Sequence, residues 1–150
     1  MVRVLAEREG ATVSEVTAAP SGVRSLEEIA IENAVEGCVR ETFGAAVAMM
    51  QGERAGDTRV RRAMKRIARD ETRHAELAWE VARWVDTRLD AAGRRRVRSA
   101  REEAVQALTR EAEGEPDATV SRRLGMPGAR QVHRVLAELR ASLWSSDSAA

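Results

Sequence analysis

At 150 residues the chain is long enough for one domain with its own core and too short for two. Its 43% hydrophobic and 33% charged residues suit a globular protein with a helical bias, and a net charge of +1 gives no bulk attraction to a polyelectrolyte. A single cysteine, Cys38, excludes an internal disulfide, and no apolar run is long enough to cross a bilayer, so a soluble, cytoplasmic chain is expected.

Residues 1–24 mix Glu, Thr, Ala, Gly and Pro20 without sustained periodicity and are read as an N-terminal tail. The run Ser25-Leu26-Glu27-Glu28 has the form of a capping box, in which Glu28 reaches back to the backbone of Ser25. A first helix follows, to about residue 51, then a loop over 52–58. Asp57 or Thr58 caps a second helix that extends to about Arg88. A break around Asp90–Gly93 precedes a third helix to about Glu113. After a loop at 113–117, Asp117 caps a short helix ending at Gly125. Pro127 then suits the first position of a last helix to about Trp144, leaving 146–150 as a polar tail.

The three prolines fall outside these helix interiors, and no segment alternates as a strand would. Four long helices with short connections predict an all-α fold, an antiparallel four-helix bundle over residues 25–145.

Heptad steps along the second helix give Val60, Met64, Ile67, Glu71, His74, Ala78, Val81 and Val85, apolar except at Glu71 and His74. The same steps along the first helix give Ile29, Glu32, Glu36, Val39, Phe43, Ala46 and Met50, with two acids breaking the stripe. Unpaired carboxylates in a buried seam cost several kcal/mol, on the order of a lost fold contact or more, and a multivalent cation would neutralise them. Residues three apart on a helix are neighbours, so Glu71 and His74 can grip one ion, with Glu36 and Glu32 supplied by the neighbouring helix. Carboxylate with imidazole suits iron, manganese or zinc. The Glu-x-x-His spacing by itself arises by chance in roughly one such chain in four. Its place in the seam is the stronger signal.

The segments ENAVEGCVRETF and DETRHAELAW resemble the ferritin-like superfamily, which includes rubrerythrins and other di-iron carboxylate bundles. The resemblance rests on Glu36 followed seven positions later by the aromatic Phe43, and on the Glu71/His74 pair of the second helix. It implies a four-helix bundle that binds iron, mono- or dinuclear, and, if the chain is an enzyme, ferroxidase-like or rubrerythrin-like oxidation of Fe(II) by dioxygen or peroxide. The second half departs from the family pattern. Glu102 and Glu103 lie beside the apolar stripe of the third helix, Glu111 lies near its end, and His133 is preceded at the key position by Arg130.

Three outcomes follow. The chain holds one metal with Glu32, Glu36, Glu71 and His74, or a homodimer completes the site from two copies, or the bundle is metal-free and serves as a structural or interaction module. In the last case Glu71 and His74 form a surface pair, and Glu32 and Glu36 are neutralised by Arg40 or Arg73. A lesser alternative is DNA binding: residues 119–139 have a helix-turn-helix outline bearing Arg130, His133 and Arg134, although few lysines or aromatic residues accompany it.

Overall fold

A computed structural model describes residues 2–8, 10–12, 14 and 22–144, and among them every regular element is helical. In chain order these are α1 (Val2–Arg8), α2 (Leu26–Glu32), a π-helical stretch (Asn33–Glu41), α3 (Thr42–Arg54), α4 (Thr58–Asp86), α5 (Ala91–Glu111), α6 (Ala118–Leu124), α7 (Ala129–Leu139) and a final π-helical stretch (Arg140–Trp144). The all-α expectation holds. No described helix is long and apolar enough to cross a membrane.

Several helix boundaries follow the caps seen in the sequence. The Ser25 hydroxyl accepts from the Glu28 amide at 3.2 Å, and the Glu28 carboxylate accepts from the Ser25 amide at 2.7 Å. Asp57 opens α4 by accepting from the Arg59 amide at 2.7 Å; the Arg59 guanidinium on the same carboxylate holds its pKa down to about 2. Asp90 caps α5 through the Gly93 amide at 2.6 Å, so the expected break is shorter than Asp90–Gly93. The start of α7 differs from expectation. Its cap is Gly128 rather than a turn opening on Pro127, and the Glu115 carboxylate accepts from the Ala129 amide at 3.2 Å.

Part of the segment read as a tail is helical: α1 joins good helix formers with an Arg3–Glu7 pair at 2.9 Å, a unit too short for periodicity to show. The tail expected at 146–150 lies outside the described residues.

Backbone torsions stay helical from α2 through the π stretch into α3, so residues 26–54 form one rod. That rod is the centre of the fold. α4 packs along most of it, α5 crosses its π stretch and α2, and α7 lies against α3. The α4 interface is built of small side chains: Ala30, Ala34, Ala45 and Ala48 on the rod are buried, as are Ala63, Ala68, Ala75 and Ala78 on α4. A separate cluster beneath α5 and α7 joins Val39, Ala104, Val105, Leu108, Val132, Leu136 and Trp144. The Trp144 indole there donates to the Cys38 carbonyl at 3.0 Å.

The closest approach lies at Gly37. A Cβ built there would stand 2.5 Å from the Ala78 Cβ, so only glycine fits. Beside it the Asn33 amide donates to the Ala78 carbonyl at 2.9 Å, tying the π stretch to α4. A second obligatory glycine is Gly125, which ends α6 at φ +68° against the backbone of Ala55.

The rod's buried face is not the one that heptad steps from Ile29 mark. Ala30, Ala34, Gly37, Cys38, Val39, Thr42, Ala45 and Ala48 are buried. Glu32 and Glu36, placed in the seam by heptad steps, are exposed, as is Ile29 from which those steps start, so that stripe lies on the outer face before the π stretch begins.

Replacing Gly37 with Ala should destabilise the fold by about 1–3 kcal/mol through overpacking, whereas Gly44→Ala, where a Cβ meets nothing within 4 Å, should be neutral or stabilising. Thermal denaturation of the two variants distinguishes them, and equal loss in both would contradict the packing account.

Candidate metal centre

One carboxylate from the rod meets two side chains of α4. Donor atoms of Glu41, Glu71 and His74 all lie within 4.8 Å of one another. Glu41 is the last residue of the π stretch; Glu71 and His74 sit one turn apart on α4, with His74 Nδ1 at 3.6 Å from the Glu71 carboxylate. Glu41 and Glu71 are half-buried, and the His74 side chain is 58% exposed at the groove's edge. Among the described residues Glu41 has no hydrogen-bond or ion-pair partner.

Glu41 escaped the sequence reading because the heptad passed over it. Steps of four and three started from Ala30 rather than Ile29 pass through Ala34 and Gly37 to Glu41.

Glu32 and Glu36 line the same open groove, of about 430 Å³, that Glu41 and His74 border. Both are engaged with arginine. Arg24 pairs with Glu32. Arg40 lies 3.8 Å from Glu36 and reaches across to α5, where both guanidinium ends contact Glu111 at 3.2 and 3.5 Å. Those Glu111 hydrogen bonds raise the Arg40 pKa. Glu111 thus neutralises an arginine instead of joining the cluster.

His133 is exposed on α7, and Glu102 and Glu103 are exposed on α5. Segment 119–139 does take the form of two helices around a turn at 125–128, with Arg130, His133 and Arg134 exposed.

Two exposed apolar side chains share the groove's rim with its charged groups. Ile29 is 38% exposed and Leu77 58% exposed beside the carboxylates, with Trp84 two turns further along α4.

The thiol of Cys38 plays no part at this surface. It is 1% exposed, and its Sγ lies 3.6 Å from the Ala78 carbonyl. Burial pushes its pKa up to about 11.

Comparison with protein-family models, with curated proteins and with solved structures finds no match to this chain.

A thiol raised to about 11 is ionised in only about one molecule in a thousand at pH 8, which leaves almost no nucleophile. Cys38 in the folded protein should therefore resist iodoacetamide at pH 8 and react on denaturation. Rapid labelling of the native chain, followed by mass spectrometry, would contradict its burial.

Proposed function

We propose that this chain is a ferritin-like metal-binding helical bundle whose ion is held by Glu41, Glu71 and His74. The observation that carries the reading is the convergence of two half-buried carboxylates and one imidazole, with Glu41 lacking any arginine to neutralise it. Two carboxylates and one imidazole suit Fe(II), Mn(II) or Zn(II), with iron first on the resemblance. Such a site would leave coordination positions open, and bound iron would supply one-electron chemistry toward dioxygen or peroxide.

Glu32 and Glu36, partnered by arginine at the groove, would stay outside the ligand set. The imidazole must be neutral to bind, so affinity falls as the pH is lowered.

Three protein ligands on an open groove suit completion by a second copy. The apolar strip of Ile29, Leu77 and Trp84 beside the cluster is the surface on which that copy would sit. The metal-free alternative, a bundle serving as an interaction module, draws support from the Arg24–Glu32 and Arg40–Glu36 pairs, since arginine already neutralises those two acids.

Elemental analysis and Fe(II) or Zn(II) titration separate the readings. The native chain should retain metal, and Glu71→Ala and His74→Ala should each weaken it by about 10–100-fold or more. Absence of metal from the native chain after iron supplementation would leave the interaction module standing. Leu77→Glu, read by sedimentation, should shift the chain toward monomer and lower metal affinity together. Unchanged mass and affinity would remove the second copy from the site.

A further inference from the structure

On a different side of α4 lies a second groove, of about 350 Å³, where α4 and α5 flank Ala30 of α2. Four arginines line it: Arg83 from α4, and Arg94, Arg98 and Arg101 from α5. Among the described residues Asp86 is the one carboxylate lining it. Arg94 is held by backbone, donating to the Leu89 carbonyl at 2.6 Å and the Asp86 carbonyl at 3.3 Å. Among the described residues Arg83 and Arg98 have no hydrogen-bond or ion-pair partner.

Arg101 is the telling member. Its guanidinium stands 5.7 Å from the centroid of the Trp79 ring, and its Nε is buried with no acceptor. A buried donor left unmade costs about 1–3 kcal/mol, more beside a charge. Some arginines elsewhere are paired with acids, as in Arg96 on Glu27 at 2.6 Å and Arg40 on Glu111, and others project singly from exposed helix faces. Here the chain gathers cations around an empty-handed donor.

The floor between them is apolar, from Ala82, Val85, Leu89 and Val97. A carboxylate brings one charge and two oxygens. A phosphate monoester brings about −1.5 to −2 charges and three oxygens, a closer match to three unpaired guanidiniums opposed by one aspartate. The cavity is within the range that binds small organic ligands.

We propose that this groove binds a small phosphate monoester, its phosphate held by Arg83, Arg98 and Arg101 and its organic part lying on the Val85, Leu89 and Val97 floor. The site is independent of the Glu41, Glu71 and His74 cluster.

Calorimetric titration of the full chain with phenyl phosphate, and separately with inorganic phosphate, tests the proposal at low salt. Phenyl phosphate should bind saturably, one per chain, and about 10-fold more tightly than inorganic phosphate, because the floor contributes. The double substitution Arg83→Gln with Arg98→Gln, at exposed positions where the helical circular dichroism should be unchanged, should cost about 10-fold or more. Arg62→Gln with Arg66→Gln removes the same charge from α4 outside the groove and should cost less than about 3-fold. No saturable binding overturns the site. Equal affinity for the ester and for inorganic phosphate overturns the ester assignment, and equal loss in the two double variants reduces the effect to bulk charge and overturns it as well.

Discussion

The approach of Gly37 to Ala78 is the constraint on which the rest of this fold depends. With no Cβ on Gly37 and only a methyl on Ala78, the rod and α4 meet at a distance that no larger pair allows. The Asn33 amide locks that contact by donating to the Ala78 carbonyl, in the first turn of the π stretch. Small residues then line both sides of the interface, so close packing extends well beyond the one contact. α5 and α7 close the opposite side of the rod over Val39, using the larger side chains of Val105, Leu108 and Leu136.

This contact governs the charges as well as the packing. Gly37 lies on the rod's inner line and Glu36 on its outer one, toward Arg40, which itself pairs with Glu111 of α5. Glu41 follows Gly37 by one turn on the inner line, beside Glu71 and His74 of α4. Acids on the outer line are thus matched with arginine, and the inner group is left to balance its own charge. π turns recur where helices carry function, since they displace side chains from the positions a regular helix would give them. The arginine groove over α2 shows the converse arrangement, with cations collected and few acids to meet them.

Much of the architecture was legible in the residues. Ser25, Asp57 and Asp117 each cap the helix their side chains announce, because capping is a local interaction of residues two or three apart, and Asp90, read only as part of a break, caps α5 in the same way. Gly125 ends α6 in the left-handed conformation that its lack of a Cβ permits. The Glu71–His74 neighbour relation follows from helical spacing within a regular α-helix, and α4 is regular throughout. The inward face of the first rod was not legible. Steps from Ile29 follow its outer face, which placed Glu32 and Glu36 inside and passed over Glu41; the residues between Ala30 and Gly37 are too small and mixed for the periodicity to choose the buried face. The helix at Val2–Arg8 escaped for another reason, since two turns are too few for a hydrophobic period to stand out.

Assignment of Glu41, and not Glu36, as the rod's metal ligand is a proposal that rests on the inward position of Glu41. Its most direct test is the Zn(II) or Fe(II) affinity of Glu41→Gln beside that of Glu36→Gln, both of which remove one carboxylate from the same groove. The account predicts a loss of about 10-fold or more for Glu41→Gln and less than about 3-fold for Glu36→Gln. The reverse order would contradict it.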